Sequence, residues 1–515
     1  MGQSDRQPGR RGSRLLDAVE RFGNALPDPI FIFLGLIAIL VVLSGVGAAQ
    51  GWSAVNPVTG ERLVVQNLLS EANVQRLLVE MPRTYTGFTP FGIAITIMLG
   101  AVVAERSGLM AALIRASLAR VARPVMTPVV FLVGVLSCHT VDAGFLVYVP
   151  LAGLVFAAGG RNPALGVLVG FSGAAVGLSG NLFPGQVDVL LLSITETGAR
   201  LLAPDWTMNP LGNWWFSAAQ AVLFTAIAWT LFDRVLGPRL GAWSGEGGAA
   251  PNEPLSADER RGLAAAGVAA LLVAGLFAAL TTWPGYTPLY DEASSPAQRL
   301  LPFYRSLAGG LALLFFVCGW VYGAAVGLVR SHRDVVELMV RGLEPFIPYL
   351  VLMFFAAHFV AMFGWSNLGP ITAIAGAEQL RAMNASPAIL LPVLTTMSAW
   401  LDFLIASASA KWSAVAPVAV PMLMLLDISP EMTTAAYRIG DVVTNLISPM
   451  NPYFVLTLTY ARRWMPQVGQ GTMLALLLPL AAALYVGGMA LTILWVALGI
   501  PVGPGAPVAY SLPLG

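Results

Sequence analysis

Charge is scarce in this sequence, and lysine is almost missing from it. Charged residues make up 11% of the 515, against about 25% in an ordinary soluble domain. Of the 28 cationic side chains, Lys411 alone is a lysine. Cysteine is reduced to Cys138 and Cys318, both inside apolar segments, which argues against a disulfide framework or a zinc site. The three histidines lack metal-ligand spacing, so no metal centre is expected from them. A net charge of +1 offers no basic surface to a nucleic-acid partner. What is abundant is hydrophobicity. Apolar residues reach 57% and the mean hydropathy is +0.74. Runs of about 18 or more apolar residues recur along the chain, which predicts an all-α polytopic membrane protein in a lipid bilayer.

The polar leader, residues 1–28, reads as a basic cytoplasmic tail. The apolar segment after it, 29–49, is longer than the usual signal-peptide core of about 7–15 residues, so it reads as a first transmembrane helix. Full-length spans follow near 86–106, 212–232, 263–283, 304–329, 345–363 and 472–498. Two further apolar segments, near 164–203 and 433–461, are interrupted, which brings the expected crossings to nine. With the N-terminus inside, 19 arginines fall on inner segments and seven on outer ones, leaving Arg438 and Lys411 at membrane depth. This asymmetry predicts a cytoplasmic N-terminus and a periplasmic C-terminal tail, 499–515.

Two apolar stretches do not fit as crossings. Residues 126–158 are broken at SCHTVDAG (137–144), and 388–426 are broken at SASAKW (407–412). An arm of about 13 residues rises about 20 Å as helix, short of a hydrocarbon core of about 30 Å. Both are predicted as re-entrant hairpins, one entering from each side. Each hairpin precedes an interrupted helix, GLSGNLFPGQVD (177–188) in one half and RIGDVVTNLISPMNP (438–452) in the other. The expected organisation is an inverted repeat: 29–232, a cytoplasmic linker at 233–262, then 263–498. Secondary transporters are built this way, with the substrate site where the broken backbones meet. Irregular backbone at that depth persists only where it lines a cavity or is buried in protein.

The polar residues at these breaks are the candidates for chemistry. A charge at bilayer depth costs roughly 2.5–3.5 kcal/mol, so Lys411 needs a reason. With Ser407, Ser409, Ser413 and Trp412 beside it, it suits an anionic aromatic ligand. It equally suits an internal pair with Asp402 or Asp441. Asp188, with no cation nearby in sequence, is expected to stand unpaired and to carry a proton, or else to cap a half-helix. Arg438 and Asp441 are three apart on one helical face, which allows an internal pair or, with the guanidinium fork free, a clamp on a substrate carboxylate. Asp142 at the first hairpin tip either ligates a cation or satisfies loop amides. Asn181, Thr444 and Asn445 carry oxygens suited to sodium, or to ordinary capping. Gly177-Leu-Ser-Gly180 with His358 in a later helix also resembles the serine motif of an intramembrane protease, a distant alternative.

Longer stretches carry a family resemblance. ERFGNALPDPIFIF (20–33), DAGFLVYVPLAGLVFAAGGRNP (142–163), GLSGNLFPGQVDVLL (177–191), SASAKWSAVAPVAVPMLMLL (407–426) and YRIGDVVTNLISPMNPYF (437–454) resemble the p-aminobenzoyl-glutamate transporter (AbgT) family. The resemblance implies a homodimer in the bacterial inner membrane, nine transmembrane helices and two hairpins per subunit. It also implies p-aminobenzoyl-glutamate uptake or proton-driven export of sulfonamide antimetabolites. Family functional positions match Asp188, Ser409, Trp412, Arg438, Asp441 and Pro449. Asp402 departs from the asparagine expected there, adding a second titratable group and a further possible cation ligand. The reading is a proton-coupled transporter needing no cofactor beyond its coupling ion. The alternative is sodium-coupled uptake of p-aminobenzoyl-glutamate or another dicarboxylate, using Asn181, Asn445 and nearby carbonyls.

Overall fold

The computed structural model describes residues 29–511 except 58–59, 119–120, 141–143, 242, 244–254, 294–298, 404, 406 and 449–450. The basic tail, the middle of the linker, Asp142 and Pro449 therefore lie outside the described residues. Among the described residues, seven helical stretches are long and apolar enough to cross a membrane. They coincide, to within a few residues at their apolar parts, with the seven full-length spans read from the sequence.

The first is α1 (Pro29–Gln50), apolar on every side as a helix surrounded by lipid and protein must be. A small hairpin follows, β1 (Ser53–Val55) antiparallel to β2 (Arg62–Val64), with Ser53 opposite Val64. Next comes an amphipathic helix the sequence reading did not foresee, α2 (Glu71–Thr86), capped by Ser70. Helix α3 (Thr89–Arg106) and a short α4 (Leu109–Leu118) lead to the first hairpin. Its arms are α5 (Met126–Ser137) and α6 (Val149–Ala158), about 18 and 15 Å long at 1.5 Å per residue.

The interrupted segment becomes α7 (Pro163–Gly177) and α8 (Gln186–Ala199), separated at Leu178–Gly185, where Pro184 removes a donor and Gly185 is extended. After it stand α9 (Trp214–Leu231), α10 (Ala257–Thr282) and α11 (Leu301–Ala325). A second amphipathic helix, α12 (His332–Leu343), is capped by Ser331 and Asp334. Then follow α13 (Ile347–Trp365) and α14 (Leu368–Ala382). The segment expected as a second hairpin forms α15 (Pro387–Leu401) and α16 (Ala408–Met424), and its interrupted partner is α17 (Pro430–Asn445) and α18 (Pro452–Arg462). Helix α19 (Gln470–Leu498) ends the set.

The packing is reciprocal between the halves. Arm α5 packs on α7, and arm α15 packs on α17. The second piece of each interrupted helix then crosses to the other half: α8 lies on α16, while α18 lies on α7 and α6. Two glycines permit the close approach of α5 to α7 and of α15 to α17. A Cβ on Gly173 would sit 2.3 Å from the Phe131 carbonyl oxygen, and one on Gly440 would sit 2.1 Å from that of Thr395. Arms α5 and α15 are thus each in backbone contact with the interrupted helix of their own half. Every residue of α7 and of α17 is buried. Any polar side chain on α17 must therefore find its partner inside the protein.

Candidate functional site

The polar residues of α17 meet the break of the first half. Arg438 Nη1 lies 2.7 Å from Asp188 Oδ1, and both side chains are buried. The same guanidinium donates to the Leu178 carbonyl at 3.3 Å. Asp188 is the third residue of α8, and its Oδ2 accepts the Gly185 N–H at 2.7 Å, so it also caps the half-helix. The sequence expectation of an unpaired Asp188 is corrected here. Its cation comes from the other half of the chain, 250 positions further along, which local spacing does not reveal.

Lys411 takes one of the two places the sequence allowed it. It sits in the first turn of α16 with no exposure to solvent, and its Nζ lies 2.8 Å from Asp402 Oδ1 and 2.7 Å from Asp441 Oδ1. Of its two expected uses, internal pairing is what the structure shows. The ammonium does not face an open cavity, because the end of α15 and one face of α17 close over the turn. The Arg438–Asp441 pair within one helix is corrected for the same reason: Arg438 turns to Asp188, and Asp441 turns to Lys411. Asn445 Nδ2 supports Asp441 Oδ2 from one turn further on, at 3.1 Å. Taken together, three carboxylates (Asp188, Asp402, Asp441) face two cations. Oδ2 of Asp402 has no hydrogen-bond partner among the described residues.

Trp412 is fully buried and stacks on Tyr437 with ring centroids 4.2 Å apart. Its Nε1 donates to Thr195 Oγ1 at 2.9 Å, and that hydroxyl meets Thr434 Oγ1 at 2.6 Å. Trp412 thus stitches α16 to α8 rather than walling an open pocket. Ser409 is half-buried, with its hydroxyl 3.4 Å from that of Ser407. Thr444 returns its hydroxyl proton to Gly440 O at 2.9 Å. Asn181 Nδ2 donates to Val135 O at 3.1 Å, and its Oδ1 has no partner among the described residues. Thr195, Thr434, Tyr437, Asn213 and Gln220 were not singled out from the sequence. Their signal was available: hydroxyl and amide groups on apolar helices are costly in lipid unless they are bonded.

No serine–histidine dyad forms. Ser179 Oγ donates to Arg438 O at 2.8 Å and accepts from Gln220 Nε2 at 3.1 Å. His358 presents Nδ1 to Phe354 O at 2.7 Å. The serine is part of the seam between α7, α9 and α17, which leaves the protease alternative without its chemistry.

Beside the Asp188–Arg438 pair is a narrow polar crevice lined by Asn181, Phe183, Asp188, Asn213, Trp214 and Ser217. Asn213 Nδ2 donates to Glu431 O at 2.7 Å, and its Oδ1, like that of Asn181, is unpartnered among the described residues. Buried charge, the first helix break and orphaned amide oxygens converge at this one place.

Comparison with known proteins agrees with this architecture. The chain is 32% identical over 505 residues to the p-aminobenzoyl-glutamate transport protein of Escherichia coli (strain K12), covering 98% of this chain and 99% of the relative. The crystal structure of the Alcanivorax borkumensis YdaH transporter, described as having an unusual topology, superposes with a TM-score of 0.86 at 37% identity. That match covers 93% of this chain and 100% of YdaH. MtrF of Neisseria gonorrhoeae, whose structure is described as illuminating a class of antimetabolite efflux pumps, gives 0.88 at 34% identity, covering 96% and 100%. The family model described as "AbgT putative transporter family" matches residues 14–510. With an interrupted-helix core at its centre and matches spanning nearly its whole length, this chain is a transporter of the AbgT family.

Proposed function

We propose that the chain is a proton-coupled secondary transporter of aromatic carboxylates of the p-aminobenzoyl-glutamate kind, or of sulfonamide-type antimetabolites carried outward. The observation that carries the reading is the buried charge count. Three carboxylates against two cations leave one negative charge in excess, where an isolated buried charge is strongly unfavourable. A proton on the Asp402–Asp441 pair neutralises it. Cargo enters the same balance through Arg438, whose guanidinium suits a carboxylate. When a cargo carboxylate takes Arg438, Asp188 loses its cation and accepts a proton in turn. Cargo and the Asp188 carboxylate then compete for one guanidinium, so a proton on Asp188 favours cargo binding, and this reciprocal linkage couples the two.

The short arms and reciprocal packing support nine crossings with two re-entrant hairpins, and the arginine asymmetry supports a cytoplasmic N-terminus in a bacterial inner membrane. A homodimer is part of the same proposal. The test is internal pH in proteoliposomes carrying a trapped dye, with p-aminobenzoyl-glutamate or a sulfonamide added in sodium-free buffer. A substrate-dependent pH change in wild type, abolished in Asp188→Asn, is expected. Substrate movement with no pH change refutes proton coupling.

One observation favours sodium as a second reading. Asn181 and Asn213 bring unpartnered amide oxygens to the crevice that holds Asp188, and such oxygens suit a hard cation. Transport that requires sodium at fixed pH and fails in Asn213→Ala selects this reading.

A further inference from the structure

Trp214 has a second face. One side of its residue lines the polar crevice with Asn181 and Asp188. It also lines an almost wholly apolar, open-sided chamber of about 580 Å³ bounded by the end of α10, the start of α11 and the segments around Leu211 and Pro504. The two spaces share Trp214 as a common wall.

The chamber is built for a small aromatic molecule. Its volume falls within the roughly 300–1,000 Å³ of drug-sized sites. Four rings, Trp214, Phe277, Phe303 and Tyr304, supply its walls, and aromatic faces favour an aromatic guest by offset or edge-on contact. The chamber also joins two different parts of the fold. Phe277 and Phe303 belong to α10 and α11, which pack against each other, and α11 packs on α3. Trp214 is tied instead to the first helix break, because its indole Nε1 donates to Leu182 O at 2.8 Å. Leu182 adjoins Asn181 and lies six residues before Asp188. Displacement of the break therefore moves this wall. All the lining elements lie at helix ends that the arginine asymmetry assigns to the outer side, within reach of a molecule dissolved in the outer leaflet.

We propose that this chamber is a second binding site, taking the aromatic end of a lipophilic small molecule of the benzenesulfonamide class, and that Trp214 is the movable partition between it and the polar crevice. The inference rests on reading the chain as a carrier of aromatic compounds, and names where an apolar cargo is first held.

The test is photolabelling of the full-length protein in lipid nanodiscs with a diazirine-tagged benzenesulfonamide, followed by peptide mapping. Labelling is expected within 273–282 and 300–314, and Ala278→Trp, which fills the chamber, should lower it about tenfold or more. Thr281→Trp, filling the same space from another position, guards against a folding defect in the first variant. Unchanged labelling in both filled variants overturns the proposal. So does labelling of these peptides by a photoactivatable phosphatidylcholine with none by the sulfonamide, which would make the chamber an acyl-chain site. Labelling needs no turnover, so a chamber that binds the probe in a protein showing no proton coupling sustains this inference while refuting the coupling. Normal coupled transport without labelling refutes this inference alone.

Discussion

Lys411→Met is the most informative single substitution in this protein. The ammonium holds two carboxylates at 2.8 and 2.7 Å, and each contact is worth about 6 kcal/mol at an effective dielectric of about 20. Desolvation offsets much of that gain, so the net value of the pairing is far smaller. What matters is the state left behind. Two carboxylate oxygens bonded to one ammonium at these distances are at most about 5.5 Å apart. Without the cation their mutual repulsion is about 3 kcal/mol or more on the same scale. Removing one partner of a buried ionic cluster typically costs about 3–5 kcal/mol, and that is the loss expected here. Thermal unfolding in detergent measures it. Adding Asp402→Asn and Asp441→Asn to Lys411→Met should recover most of the lost stability, because no uncompensated charge then remains. If Lys411→Met melts like wild type while cargo affinity collapses, the ammonium is a ligand for the cargo and the internal-pairing account is wrong.

Further outcomes follow from other contacts. Asp188→Asn frees Arg438 from its internal carboxylate, so p-aminobenzoyl-glutamate should bind several-fold more tightly even as coupling is lost; weaker binding in a calorimetric titration would break the competition model. Trp412→Phe removes the donor to Thr195 and should cost about 1 kcal/mol. Thr195→Val should cost less in that variant than in wild type, by about the value of the Trp412 bond, which a double-mutant cycle in thermal melts reads directly. Gly440→Val should yield no folded protein on size-exclusion chromatography, since even a Cβ meets the Thr395 carbonyl. Gly275→Ala, with open space around its position in α10, should be neutral or stabilising by about 0.5–1 kcal/mol. At the start of α12, the backbone N–H groups of Arg330 and Ser331 hold the Asp334 carboxyl below the usual carboxylate range. Its capping contribution is therefore present above the unfolded-state value and lost as pH falls through the lowered one. Hydrogen exchange across α12 should rise at acid pH in wild type and be raised already at neutral pH in Asp334→Asn.

The spans were legible because lipid imposes one simple rule, about 20 apolar residues per crossing, and α1, α3, α10 and α19 obey it. The breaks were legible for a related reason. SCHTVDAG, Pro184-Gly185 and SASAKW interrupt apolar periodicity with residues that lipid penalises. Helices α2 and α12 were missed because amphipathic elements resemble polar loops to a reading based on hydropathy, and α14 because its 15 residues are too few to cross a bilayer. The site divided along another line. Which residues matter was visible, since Asp188, Lys411, Arg438 and Asp441 are charges in apolar surroundings. Their partners were not visible. Helical spacing pairs Arg438 with Asp441, but spacing reports only which residues share a face. It cannot show that α8 of the first half lies against that face and offers Asp188.

The Arg438–Asp188 pair also bears on how this protein can change over generations. Its two members arise from separate halves of the chain, so no single nucleotide change exchanges them together. Every one-step departure that removes either charge passes through a form with a lone charge in the interior, at a penalty of several kcal/mol against a marginal total stability. Lineages that must alter cargo preference are therefore steered away from this pair and toward the walls of the adjoining spaces, where Asn213, Ser217 and the ring-lined chamber can vary one residue at a time. Differences in specificity among relatives should accumulate there.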